Sequence, residues 1–163
     1  MRLQSAVTRS AILLAAIGHS SLADGPNAPL VVFVCEHGSS KSVIAAAHFN
    51  ELAERKGLPY RAVSRGIQAD SRVADAVISG LSADGLDVSS WTPKRVSDDD
   101  LKRAIRVVTL NCQLSESKAL VAAKRIEWAD LPAVSDGYGR ARAAIVLHID
   151  ELLRSLVGAT QHH

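Results

Sequence analysis

The chain has 163 residues, 47% of them apolar and 22% charged, the proportions of one globular domain rather than a disordered chain. With Arg2 and Arg9 of the leader set aside, 17 of the 19 Lys and Arg balance 17 Asp and Glu, which excludes a mainly electrostatic nucleic-acid binder. Two cysteines are too few for a disulfide framework or a cysteine-rich zinc site, and no apolar run approaches the ~18 residues of a membrane span.

The first 23 residues read as a leader. Arg2 and Arg9 make a positive start, and Ala11 to Gly18 form a short apolar run. Ser21-Leu22-Ala23 places small residues at a cleavage site, and Asp24-Gly25-Pro26 follows as a polar turn. That order is the pattern of a secretory signal. It predicts an exported protein, periplasmic or secreted after cleavage near Ala23, with residues 24–163 as its domain.

Leu30 to Val34 is a continuous apolar, β-branched run and predicts a strand buried on both faces. Lys41 to Lys56 carries apolar residues near helical spacing, with Gly57 as its stop and Pro59 beyond. Tyr60 to Ser64 predicts a second strand. Asp70 is a suitable N-cap for a helix from Ser71 to Leu81, with Val73, Val77 and Leu81 on one face. Ser97 caps the acidic turn Asp98-Asp99-Asp100 before a short helix, Leu101 to Ile105. Arg106 to Leu110 and Ala123 to Trp128 predict two more strands. The last helix runs from Gly137 to Val157, with Ile145, Ile149, Leu152, Leu153 and Leu156 on one side. Strands alternating with helices predict a three-layer α/β fold, a four-stranded parallel sheet with helices on both faces. Ligands of such folds bind at the carboxyl ends of the strands.

The turn after the first strand, Cys35-Glu36-His37-Gly38-Ser39-Ser40-Lys41-Ser42, is where the chemistry concentrates. Backbone N–H groups and a helix N-terminus converge there on an anion, and their partial positive charge favours a thiolate at Cys35. Gly38 can take the left-handed backbone that curls a loop around an oxyanion. The competing reading is an inert structural cysteine beside a serine-rich helix cap. A nucleotide-binding loop is excluded because Cys35 and Ser40 stand where its two glycines belong. Adjacent Cys35, Glu36 and His37 cannot easily point at one metal ion.

A strand, Cys, five residues, a cation, Ser and an alanine-rich helix resemble the low-molecular-weight protein tyrosine phosphatases and the thioredoxin-coupled arsenate reductases that share their fold. Ser64-Arg65-Gly66, Gly85-Leu86-Asp87-Val88, Val107-Val108-Thr109-Leu110 and the segment Trp128 to Pro132 before the last helix match in order. The resemblance implies that Cys35 is the nucleophile of a cysteinyl-phosphate mechanism needing no cofactor and no metal. It implies that the N–H groups of Glu36, His37, Gly38, Ser39, Ser40 and Lys41 hold the oxyanion, and that Ser42 donates to the Cys35 sulfur. Its implied partners are a phosphate-bearing small molecule or phosphoprotein, and phosphate, sulfate or arsenate. Lys41 departs from the family's Arg, replacing a planar fork with a point charge on a flexible stem.

The family's general acid lies in an Asp-Pro step before the last helix. Asp130, two residues before Pro132, stands in that place, with Asp136 as the competitor. Cys112 resembles the arsenate reductases' second cysteine, displaced by one residue, but two cysteines cannot run a three-thiol relay. It is read as apolar filler or as a disulfide partner for Cys35. His37 is expected to face solvent, His48 to lie on the helix surface, and His162 and His163 to form a frayed tail. The expected activity is phosphate-monoester hydrolysis of the phosphotyrosine type. The alternatives are an arsenate reductase-like protein and an anion-binding pseudo-phosphatase in which Lys41 serves capture.

Overall fold

The computed structural model describes residues 27–115 and 124–160. The expected leader, Ala123, His162 and His163 lie outside the described residues. The elements are β1 (Leu30–Cys35), α1 (Lys41–Arg55), β2 (Arg61–Gly66), α2 (Asp75–Ala83), α3 (Asp98–Arg103), β3 (Ala104–Leu110), β4 (Arg125–Trp128), a 3-10 turn (Val134–Asp136) and α4 (Tyr138–Thr160). All strand pairs are parallel, in the order β2-β1-β3-β4. The chain steps from β1 to β2 on one side and returns to β3 on the other. The carboxyl end of β1 therefore opens into the crevice where ligands of such sheets sit.

β1 is buried along its whole length, as its unbroken apolar run requires. Its side chains alternate between two cores. Val31, Phe33 and Cys35 join the larger one with residues of α1, α2 and α4, where the Phe33 ring lies 5.7 Å from Phe49 and 5.5 Å from Trp128. Val32 and Val34 join the smaller one with Leu101 of α3, Val107, Cys112 and Leu114. The apolar stripe of α4 is buried at all five expected positions.

Two expectations are corrected. The helix after β2 begins at Asp75, not Ser71; its N-cap is Ala74, and Asp70 does not cap it. Residues 67–74 are instead tied to the turn after β1, described below. His48 is buried, not on the surface, because α1 is covered without a break from Ser42 to Phe49. Its Nε2 lies 3.3 Å from Asp84 Oδ2, which also accepts from Tyr138 Oη at 2.6 Å and lies 2.8 Å from Arg142 Nε. Tyr138 reaches Asp84 across Gly80, where a Cβ would sit 2.5 Å from the ring. Among the described residues no helix is long and apolar enough to cross a membrane.

Candidate active site

The turn after β1 is shaped by where its carbonyls go. Cys35 O accepts from Ile67 N at 3.1 Å, Glu36 O from Gln68 N at 2.8 Å, His37 O from Asp70 N at 3.0 Å and Ser39 O from Ala74 N at 3.0 Å. The N–H of a trans peptide points opposite to its C=O. Anchoring these four carbonyls to residues 67–74 therefore turns the N–H groups of Glu36, His37, Gly38 and Ser40 the other way, around one concavity. Such a turn has the geometry of a nest, a form that suits anions in general, and it feeds directly into the start of α1, where Ser40 makes no side-chain cap. Asp70 completes the anchor: its Oδ2 accepts from Ser39 Oγ at 2.6 Å, and its Oδ1 lies 3.6 Å from His37 Nδ1.

Cys35 lies at the floor of a cleft of about 260 Å³ lined also by Glu36, His37, Ser39, Ser40, Lys41, Leu110, Asn111, Ala133, Val134 and Ser135. Its Sγ accepts from Gly38 N at 3.2 Å and lies 3.0 Å from Ser42 Oγ. Ser64 Oγ donates to Ser42 Oγ at 2.8 Å. Ser64 Oγ also lies 3.4 Å from Gly38 O, so the fully buried Ser42 hydroxyl links the sulfur to the end of β2. The sulfur thus has one backbone N–H and one hydroxyl within hydrogen-bond distance.

Lys41 extends into the cleft, and its Nζ donates to Asn111 Oδ1 at 2.8 Å. Partial burial lowers its pKa from the ordinary 10.5, against the opposing pull of the neighbouring Cys35 and Cys112 sulfurs. On the flank of the loop, Arg65 forks onto Asp100 with two 2.8 Å hydrogen bonds. Asp100 also completes a capping box with Ser97 at the start of α3. Burial would raise the Asp100 carboxyl, but the bonds from Arg65 and Ser97 outweigh it and hold it below its ordinary value.

The structure thus gathers Cys35, Glu36, His37, Ser39, Ser40 and Lys41 at one cleft, with Gly38 in its backbone and Ser42 beneath it. It does not bring Asp130 to that lining. Asp130 is 77% exposed, and its Oδ1 lies 3.3 Å from His148 Nε2 on α4, a ring that stacks on Trp128. Asp136 is exposed in the turn whose Val134 and Ser135 reach the cleft. Glu36 is the one carboxylate in that lining.

Both cysteines are free and buried, so of the two readings of Cys112 the structure has the apolar filler and not the disulfide partner. Cys35 packs in the larger core and Cys112 in the smaller, against the opposite side of β1. Cys112 Sγ donates to Val34 O at 3.3 Å, and burial pushes its pKa up to about 11. His37 is largely exposed, as expected. Among the described residues no group of three His, Cys, Asp or Glu side chains could hold a metal ion.

Sequence reasoning missed Asn111, Asp70 as a loop anchor, and the 133–135 wall. Asn111 carried a signal, since asparagine tolerates a left-handed backbone and this one ends a core strand. Its φ is +50°.

Comparison with known proteins agrees with this geometry. The sequence profile of the family described as low molecular weight phosphotyrosine protein phosphatase matches residues 30–128. A putative arsenate reductase of Halobacterium salinarum is 28% identical over 99 residues, 60% of this chain and 69% of that protein. The solved low molecular weight protein tyrosine phosphatase of T. tengcongensis superposes with a TM-score of 0.72 at 21% identity, covering 78% of this chain and 99% of the other. The arginine phosphatase of Geobacillus stearothermophilus gives 0.70 at 21% identity, with 83% and 97% covered. At such identity the two structures fix the fold, and the profile fixes the kinship across both the nest and the core strands. The chain belongs to the low molecular weight phosphotyrosine protein phosphatase family.

Proposed function

We propose that this protein hydrolyses phosphate monoesters of the phosphotyrosine type through a cysteinyl-phosphate intermediate on Cys35. The observation that carries the reading is the nest: four anchored carbonyls turn their N–H groups toward one anion site above a hydrogen-bonded sulfur. The Cys35 thiolate attacks phosphorus, forming S–P as the ester P–O bond breaks. Inward N–H groups and Lys41 hold the equatorial oxygens as charge spreads over them. The leaving oxygen takes a proton, which we assign to Asp130. Water then gives a proton back to the Asp130 carboxylate as it attacks phosphorus, S–P breaks, and phosphate leaves with the thiolate and the acid restored.

Asp130 would have to release His148 to serve. Until it does, leaving-group protonation is weak, and turnover favours esters whose alcohol is already acidic. The test is a series of aryl and alkyl phosphates. Rates should fall steeply with leaving-group pKa, and Asp130→Asn should slow alkyl phosphates more than nitrophenyl phosphate. Equal slowing of both would remove Asp130 from the acid role.

A second reading is oxyanion capture without turnover. The observation favouring it is that Glu36 is the one carboxylate in the cleft lining, with Lys41 where the family has Arg. Saturable phosphate binding with no release of product from any aryl phosphate would select it. The arsenate reductase reading has less support: Cys112, with its thiol raised and donating to Val34 O, is a poor attacking group. The pattern of residues 1–23 supports export, with the work done in a periplasm or outside the cell.

A further inference from the structure

We propose that Asn111 is the positioning residue that aims Lys41 at the anion. The inference rests on the reading of the nest as an oxyanion site and names a part of it that the loop itself does not contain. A guanidinium fixes its own direction by a planar fork; an ammonium on four methylenes does not, and must be oriented from outside. Asn111 supplies that from across the cleft.

Asn111 is itself held from two sides. Its backbone N donates to Trp128 O at 2.9 Å, and its side-chain Nδ2 donates to Ala129 O at 2.7 Å. With φ at +50°, it is the one described residue other than glycine with a left-handed backbone. The first bond fixes the backbone and the second fixes the side-chain amide, both without help from Lys41. The Ala129 carbonyl needs a donor and the lysine needs an acceptor, so the amide has one orientation that serves both. Oδ1 then meets Nζ at 2.8 Å, and both residues line the cleft that holds Cys35.

The choice of a neutral amide fits the task. One ammonium proton is taken by Oδ1, and two remain for the anion oxygens. A carboxylate at 111 would hold the lysine as well but would cancel its charge, in a cleft that already carries Glu36.

The test is a double-mutant cycle read by calorimetric titration of inorganic phosphate into the reduced protein. Asn111→Gly keeps the left-handed backbone and removes the acceptor. It should weaken phosphate binding about tenfold with Lys41 present, and by less than about twofold in a Lys41→Ala background, where nothing is left to aim. Asn111→Ala gives the same comparison if glycine loosens the strand end, and melting curves confirm that each variant is folded. Equal loss in both backgrounds, or loss in neither, overturns the role of Asn111 and leaves the anion site standing. Absence of phosphate binding by the unsubstituted protein overturns both.

Discussion

Gly38 and Gly66 face each other so closely that neither can carry a side chain. A Cβ on Gly66 would lie 2.7 Å from Gly38 N and 2.7 Å from His37 C, and one on Gly38 would lie 2.7 Å from Gly66 N. The contact sets the back wall of the nest against the end of β2, where Gly66 also pairs with Lys94 and Val96 through backbone hydrogen bonds. Gly38 has φ of +64°, so it is constrained twice; Gly66 is constrained by space alone.

Gly66→Ala is therefore the clean steric probe. The clash is with backbone, so the loop must move. The variant should lose about 2 kcal/mol of stability, as overpacking does, and most of the stabilisation that phosphate confers on the parent. Melting curves with and without phosphate measure both. A variant that keeps the full phosphate shift would show that the loop tolerates displacement from β2.

The thiols should differ in reactivity. Cys35 lines the cleft, whereas Cys112 is buried with its pKa pushed up to about 11. Iodoacetamide at about pH 8 should alkylate Cys35 first, and phosphate should protect it. Peptide mass spectrometry reads the site. Alkylation of Cys112 at the same rate would contradict the placement of the two sulfurs on opposite sides of β1.

The His48 cluster gives a pH dependence with a definite sign. Burial depresses the His48 pKa below its ordinary 6.5; Asp84 and Glu51 raise it, Arg142 lowers it, and burial wins. The unfolded chain then binds a proton that the folded one refuses. Stability from this group is full above about 6.5 and falls as pH drops toward the folded value. Urea midpoints at about pH 7.5 and pH 5.5 should differ, and His48→Gln should narrow the difference. An unchanged difference would place the acid sensitivity elsewhere.

Much of this was legible locally and some was not. The burial of β1, the apolar face of α4 and the Cys35-to-Ser42 loop follow from unbroken or periodic patterns that a short window contains. Asp70 misled because its N-cap propensity is real, yet residues 67–74 are spent on the carbonyls of residues 35–39, a contact between segments some thirty positions apart. His48 misled because three small alanines before it allow neighbours to close over both sides of α1, which no helical periodicity records. Asp130 sits in the expected segment, but its side-chain partner is on α4, and chain position cannot show where a side chain turns.

Lys41→Arg tests whether the lysine limits chemistry. A guanidinium can still donate to Asn111 and adds a second donor in plane toward the phosphoryl oxygens. Turnover should rise about fivefold or more with little change in KM, because the gain arises in the transition state. Equal or lower turnover would mean that the cleft is built around the ammonium.

The most direct measurement of the central claim is a rapid-quench experiment with nitrophenyl phosphate on the reduced protein. The account predicts a burst of nitrophenol approaching one equivalent, with a phosphoryl group on the peptide that holds Cys35, and neither in Cys35→Ser. Release of nitrophenol that persists in Cys35→Ser, or a burst with the phosphoryl group on another residue, would contradict it.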